Sequence, residues 1–329
     1  MVNRRNFISG GMAALAAAQV ARAAEPVSPA TAKDLGKAKT LPPGRYDAHI
    51  HIYEDVEAKP DALFARMQES GMAGGCVFSR EQAPEPRLGN TTRLTPEQIV
   101  DNVIAWCSAA PTLYPFYWID PSRPDSVDLV DMAVEKGICG FKVIRSNGYP
   151  CDGYALDCYR RMAHYGKPVT FHSGILYDGM PSSEYFRPIA FEGLIRVPRL
   201  RFCLAHISWP WCEECMATFG KINDAGYRLR VRGGRRDARD PKDAPTMFVD
   251  STPGPHNLFR RNAFTLVYGA EHPMKNNLMF GIDNSVHNYR VAYNRKYQDF
   301  DDALFREFGV EPKLVESYYR GALQRFLFA

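Results

Sequence analysis

The residues that could do chemistry are His49 and His51, two apart, followed by His172, His206 and Asp283. Each closes a short apolar run that reads as a β-strand, at residues 46–52, 168–172, 202–206 and 278–283. Side chains at i and i+2 of a strand share a face, so His49 and His51 can reach one ion together. Three imidazoles and a carboxylate suit zinc or a similar divalent cation, and a fourth histidine is left for proton transfer. The set predicts a metalloenzyme, and it requires a fold that brings several separate strand ends to one point.

The rest of the chain supplies such a fold. Strand patterns are predicted at 45–53, 75–80, 114–120, 138–145, 168–172, 202–206, 246–250 and 278–283. Helical patterns are predicted at 61–70, 95–110, 126–136, 154–165, 212–225, 257–269 and 312–328, the second with Thr95 as N-cap and Pro96 in its first turn. Eight strands alternating with helices predict an α/β fold, a single-domain (β/α)8 TIM barrel over residues 45–329. Such barrels carry their chemistry at the C-terminal ends of the strands, where all five residues fall, on strands one, five, six and eight.

Bulk properties limit the function. The chain has 329 residues, 45% hydrophobic and 24% charged, an ordinary globular composition. A net charge of +4, without a basic helix or an aromatic-basic repeat, argues against nucleic acid as a partner. Residues 1–23 read as a twin-arginine signal peptide: Arg4-Arg5 precede Asn6-Phe7, an Ala- and Gly-rich run follows, and Ala21-Arg22-Ala23 places cleavage near Ala23. The apolar run over 8–20 is shorter than the ~20 residues a span needs, so no stable membrane span is expected. The expectation is export by the twin-arginine machinery and a periplasmic mature protein. Residues 24–44 read as a linker, and 227–244, with its alternating charges, as a solvated surface loop, with a lid as the alternative. Cys76, Cys107, Cys139, Cys158 and Cys203 lie in apolar stretches and read as small core residues.

Placed in order, the motifs resemble a known family. The pieces are Asp47-Ala48-His49-Ile50-His51, Gly140-Phe141-Lys142, Phe171-His172-Ser173-Gly174, Ala205-His206 with Trp209-Pro210-Trp211, Phe248-Val249-Asp250-Ser251 and Phe280-Gly281-Ile282-Asp283. Together they resemble the amidohydrolase superfamily, in its amidohydrolase-related branch of metal-dependent hydrolases and decarboxylases. The resemblance implies that His49, His51, His172 and Asp283 bind a divalent metal, one Zn²⁺, with Mn²⁺ as the substitute. It also implies that Asp283 takes a proton from the metal-bound water, whose pKa falls from about 16 towards ~7, and that His206 polarises the substrate or shuttles a proton. The implied reaction is hydrolysis of an ester, lactone or amide bond in a small anionic or aromatic molecule. The alternative, non-oxidative decarboxylation of an aromatic or unsaturated acid, uses the same residues. Decarboxylases of this pattern often carry a carboxylate at the first histidine, so His49 favours hydrolysis. The chain departs from the family's pattern at Gly321, where an Asn is usual, and at Ile207-Ser208, which replace a glycine after His206.

Lys142 has three readings: a carboxylated bridge between two metals, a partner for a substrate carboxylate, or an inward lysine paired with an acid. Arg80, Trp118, Arg145, Tyr177 and Trp209 stand at other strand ends and, with Lys142, are the expected substrate-binding residues. The arginines suit an anionic group and the aromatics a flat face, although loop acids could instead engage Arg80 and Arg145. His256 and His287 read as surface or supporting groups. Cys212 and Cys215 have a Trp-Cys-x-x-Cys spacing that raises a thiol–disulfide oxidoreductase as a remote alternative. Self-association is open.

Overall fold

The computed structural model describes residues 40–54, 57–83, 91–145, 147–231, 243–252 and 257–329. The expected signal peptide, most of the linker, much of the 227–244 loop and His256 lie outside them. Among the described residues, no helix is long and apolar enough to cross a membrane.

The strands are β1 (Arg45–His51), β2 (Met72–Phe78), β3 (Leu113–Trp118), β4 (Gly140–Val143), β5 (Val169–Phe171), β6 (Arg201–Leu204), β7 (Thr246–Asp250), β8 (Leu278–Met279) and β9 (Asn284–Ser285). They form one sheet in the order β8-β7-β6-β5-β4-β3-β2-β1-β9, and every neighbouring pair is parallel. The eighth strand, expected over 278–283, is only the short β8 at the start of that run, and a second short strand, β9, follows just beyond its end. The first pairs with β7 and the second with β1, through Ile50↔Asn284 and His51↔Ser285. Ala48 N–H also reaches the Phe280 carbonyl at 2.9 Å, so the segment between the two closes the barrel. The fold is the single-domain (β/α)8 barrel.

The helices are α1 (Pro60–Glu69), α2 (Pro96–Trp106), α3 (Ser126–Lys136), α4 (Ala155–His164), the short α5 (Ser182–Tyr185), α6 (Cys212–Val231), α7 (Asn257–Phe264), α8 (Val291–Glu307), α9 (Pro312–Glu316) and α10 (Ala322–Phe328). Local signals explain several boundaries. Thr95 caps α2 in a capping box with Gln98, and Gly137 ends α3 at φ 105°, a conformation that glycine adopts without strain. Wide π-type turns extend α7 at Thr265–Gly269 and join α9 to α10 at Ser317–Gly321, so the closing helix expected over 312–328 comes in pieces. α8 is an element the sequence pattern did not announce.

Two apolar layers hold the barrel. Outward-facing strand residues such as Val77, Phe141, Phe171 and Val249 pack against the helices. Inward residues Tyr46, Ala48, Cys76, Phe78, Phe116, Cys203 and Phe248 form a second cluster closed by Leu323, Phe326 and Leu327 of α10. Phe326 stacks on Phe116 at 6.2 Å and tilts onto Phe248 at 5.3 Å. α10 therefore seals the interior, and the polar residues gather at the C-terminal ends of the strands.

One buried ion pair ties this framework together. Arg260 of α7 donates from Nε and Nη2 to the two oxygens of Asp301 of α8, at 2.6 and 2.5 Å. Its Nη1 donates to the Ser251 carbonyl, at the end of β7. Tyr318 Oη donates to Asp301 Oδ2 at 2.6 Å and meets Ser251 Oγ at 2.6 Å. Arg260 and Asp301 are 4% and 0% exposed, so removing either partner strands a desolvated charge. Asp301→Asn is expected to cost about 3–5 kcal/mol of unfolding free energy, read from urea denaturation followed by circular dichroism. A loss below ~1 kcal/mol would show that the pair is not a structural tie.

Candidate metal centre

The site begins with an irregularity in β1. Its pairing runs Asp47↔Gly75 and then Ile50↔Val77, so β1 spends three residues where β2 spends two. This is a β-bulge, which shifts the alternation of the strand by one. Tyr46 and Ala48 belong to the inner cluster, whereas Ile50 belongs to the outer one. After the bulge the inward positions are therefore His49 and His51. Asp47, fully buried, anchors the irregular stretch: its Oδ1 accepts from His49 N at 3.1 Å and Ile282 N at 3.2 Å, and its Oδ2 accepts from Tyr289 Oη at 3.0 Å.

His49 Nε2 and His51 Nε2 lie 3.1 Å apart, and Asp283 Oδ1 is 3.8 Å from the first and 3.7 Å from the second. These ligand atoms all lie within 4.8 Å of one another. Two ligands about 2.05 Å from a tetrahedral zinc sit roughly 3.3 Å apart, so the spacing fits such an ion. The donor set fits as well, with two imidazoles and one carboxylate. Asp283 keeps 32% of its side-chain surface exposed while His49 is sealed at 1%, so access is from the carboxylate side. Its backbone has φ 54°, and Tyr53 Oη donates to Oδ1 at 3.1 Å while the Tyr53 ring stacks on His51 at 4.7 Å. Gly281 lets this segment pass: a Cβ there would stand 2.8 Å from Thr252 Cγ2 and 3.1 Å from His49 Cβ.

His172 and His206 adjoin this group. The His206 ring centroid is 5.2 Å from His49 and 4.9 Å from His172. His172 packs edge-on against Phe186, and its Nε2 is buried without a hydrogen-bond partner. It stands outside the tight three-residue group but offers a free nitrogen beside it. His206 does not end a strand as expected. β6 stops at Leu204, and His206, Ile207 and Ser208 all have positive φ, of 62°, 47° and 54°. Non-glycine residues pay for that conformation, and β-branched Ile207 most of all. The turn is held by His206 N donating to Asp250 Oδ1 at 2.9 Å, Trp209 N to the His206 carbonyl at 2.9 Å, and Ser173 Oγ to Ser208 Oγ at 2.9 Å.

Asp250, at the end of β7, is the site residue that the sequence reading left out of the candidate set. It is fully buried, and its Oδ2 meets His49 Nδ1 at 2.9 Å. Burial alone would raise its pKa, but its interactions with His49, His206 and Thr252 hold it well below the ordinary carboxylate range. An ionised carboxylate only accepts, so His49 carries its proton on Nδ1 and leaves a lone pair on Nε2, the nitrogen beside His51 and Asp283. Asp283 follows the same pattern: burial opposes ionisation, and His49, His51, His206 and Lys142 more than reverse it. Burial pushes His51 and His172 well below their usual range and His206 down to about 4, the last with help from His49. All three rings are neutral at pH 7, the state in which imidazole can ligate or accept a proton.

Lys142 points inward from β4. Its Nζ lies 3.3 Å from His49 Nε2 and 4.8 Å from the Phe78 ring centroid, and among the described residues no acid pairs with it within 4.0 Å. Burial lowers its pKa to about 8, with Asp250 and Asp283 opposing. Phe78 meets both His49 and His51 edge-on at 4.8 and 5.1 Å, and Trp118 meets His51 edge-on at 5.9 Å. The remaining expected residues have surroundings of their own. Arg145 donates to the Tyr149 carbonyl and the Asp152 carboxylate within its own loop, and Arg80 to the carbonyls of Glu81 and Thr92. Trp209 packs on Phe259 at 5.4 Å, and Tyr177 is 80% exposed. His287 is exposed. Cys212 and Cys215 are free thiols that burial raises to about 11 and about 12, which disfavours the reactive thiolate.

Comparison with known proteins adds to this geometry. A family model described as "Amidohydrolase" matches residues 46–246. No curated protein matches the sequence. Among solved structures, a candidate amidohydrolase from Staphylococcus aureus is similar with a TM-score of 0.56 at 12% identity, covering 87% of this chain and 99% of that one. A 2,6-dihydroxybenzoate decarboxylase complexed with 2,6-dihydroxybenzoate is similar with a TM-score of 0.51 at 13% identity, covering 86% and 97%. At these identities the likeness is one of fold.

Metal binding is testable directly. Zn²⁺ is expected to bind and raise the melting temperature, as any ligand of the native state does. His49→Ala should abolish that shift, and Asp250→Asn should weaken the affinity by about 10–100-fold, both measured by competition with a chromophoric chelator. Unchanged affinity in both variants would remove the site from consideration.

Proposed function

Since the chain belongs to the amidohydrolase family, we propose that it is a metal-dependent hydrolase of an ester, lactone or amide bond in a small aromatic or anionic molecule. The observation that carries the reading is the buried group of His49, His51 and Asp283, with His49 held by Asp250 so that its Nε2 lone pair faces the other two ligands. His172, with its unpartnered Nε2, is the expected further ligand. A divalent ion held there supplies Lewis acidity and lowers the pKa of a coordinated water towards ~7.

The chain's own residues would do the rest. Asp283 is ionised and partly open to the pocket, so it can take the proton that the attacking water loses. His206 is neutral and offers a second proton site. Phe78 and Trp118 wall the histidines with apolar surface, which excludes bulk water and strengthens every charge interaction inside. Exposed aromatics on the loops after β4 and β5, Tyr149 and Tyr177, with the half-buried Trp209 after β6, support a flat substrate. Lys142, beside His49 and with no acid pairing with it among the described residues, supplies the positive charge that an anionic group would meet. The twin-arginine pattern at Arg4-Arg5 supports a periplasmic workplace, and N-terminal sequencing of protein recovered from the periplasm would test it.

Zn²⁺-loaded protein is expected to hydrolyse members of a panel of aromatic lactones, esters and amides, with incorporation of ¹⁸O from labelled water. Chelation should abolish turnover and Zn²⁺ should restore it. Asp283→Asn should lower kcat by about 10²–10⁴ with a smaller effect on KM. Release of CO₂ from aromatic acids without ¹⁸O incorporation would replace the hydrolase reading with decarboxylation.

A further inference from the structure

Thr252 lies two residues beyond Asp250, 1% exposed, and its hydroxyl makes two short contacts. Thr252 Oγ1 is 2.5 Å from Asp250 Oδ1 and 2.6 Å from His206 Nδ1. Asp250 Oδ1 also accepts from His206 N at 2.9 Å and Thr252 N at 3.1 Å, so this oxygen is surrounded by donors. A hydroxyl has one proton to give. If it went to His206 Nδ1, two oxygens would stand 2.5 Å apart with no proton between them, one of them on a carboxylate. The proton therefore lies on the line to Asp250, and the Thr252 oxygen accepts from His206.

We infer that Thr252 is a positioning residue that fixes His206 as the Nδ1–H tautomer, so that its Nε2 enters the reaction as a proton acceptor and not as a donor. This rests on the enzyme reading above, but the tautomer is a property of the resting protein and can be read without substrate. The arrangement divides the two roles open to His206. A lone pair on Nε2 cannot polarise a substrate carbonyl by donating to it. It can take a proton from an O–H group: the O–H bond breaks, its electron pair stays on oxygen, and the new N–H leaves an imidazolium. The Asp250 carboxylate then stabilises the positive charge across the Thr252 hydroxyl, with both protons of that chain staying where they are. His49 Nδ1 donates to the other oxygen of the same carboxylate, so one acid sets the tautomers of two neighbouring histidines.

The test is ¹⁵N NMR of the full-length, Zn²⁺-loaded protein labelled at histidine, with His206 assigned by its disappearance in His206→Gln. The wild type and Thr252→Ser should show Nδ1 as the protonated nitrogen and Nε2 at a lone-pair shift. Thr252→Val, which removes the hydroxyl and keeps the shape, should move Nε2 towards an N–H shift. On an active substrate, Thr252→Val should lower kcat by tenfold or more with KM within twofold, and Thr252→Ser should recover most of it. A protonated Nε2 in the wild type overturns the inference without reference to any variant. A Thr252→Val spectrum identical to the wild type overturns it too. Failure to find any substrate would sink the enzyme reading and leave the tautomer result standing.

Discussion

The candidate site depends on one carboxylate. Asp250 is buried at the end of β7, and its two oxygens accept from His49 Nδ1, the backbone N–H groups of His206 and Thr252, and the Thr252 hydroxyl. A buried charge of this kind is expensive unless every lone pair finds a donor. Asp250 satisfies that condition by drawing β1, the turn after β6 and its own strand end to one point. The strained φ values at His206, Ile207 and Ser208 are compatible with this, because hydrogen bonds on both sides hold the turn. The ion pair of Arg260 and Asp301 acts one step further out. It grips the Ser251 carbonyl, between Asp250 and Thr252, and so anchors the strand end that carries both.

Much of this was legible from residue types and spacing. Apolar runs that end abruptly in His or Asp marked the strand ends, and their alternation with helical patterns was enough for the barrel. The i, i+2 spacing correctly brings His49 and His51 to one face, but it says nothing of the bulge that turns that face inward. Tyr46, Ala48 and Ile50 read as one smooth alternation in sequence, yet Ile50 packs outside and the other two inside. A bulge is set by how two strands pair, which no single strand records. Asp250 obeys the same strand-end rule as Asp283, but the Phe-Val-Asp-Ser run carries no spacing that gives its carboxylate a task. α8 was missed for a different reason. Its buried face carries Asn294, Gln298 and Asp301 among its apolar residues, so the hydrophobic period that announces a helix is muted.

The loops were least legible. Arg80 and Arg145 stand at strand ends as expected, but backbone carbonyls take part of their donor sets, in Arg145's case together with Asp152. Every residue has a carbonyl, so no pattern of side-chain types predicts which one an arginine will find. Lys142 shows the contrast. Its strand position alone places it inside the barrel, and because no acid among the described residues pairs with it directly, burial outweighs the pull of Asp250 and Asp283 on its protonation.

Barrel closure and the placement of Asp283 are one structural event. A continuous eighth strand would keep pairing with β7 and leave Asp283 in the pleat, its side chain facing inward or outward by simple alternation. Instead the strand stops after Met279, passes His49 where Gly281 gives it room, and turns at Asp283 with φ 54° before pairing again, now with β1. The left-handed turn is unfavourable for an aspartate, though less so than for most residues. Here it brings the carboxylate to the edges of His49 and His51 and leaves one side of it open. Tyr53 then holds the oxygen that faces the two imidazoles. A substitution that straightened this turn would be expected to disturb the closure of the sheet and the ligand geometry together, because the same backbone atoms serve both.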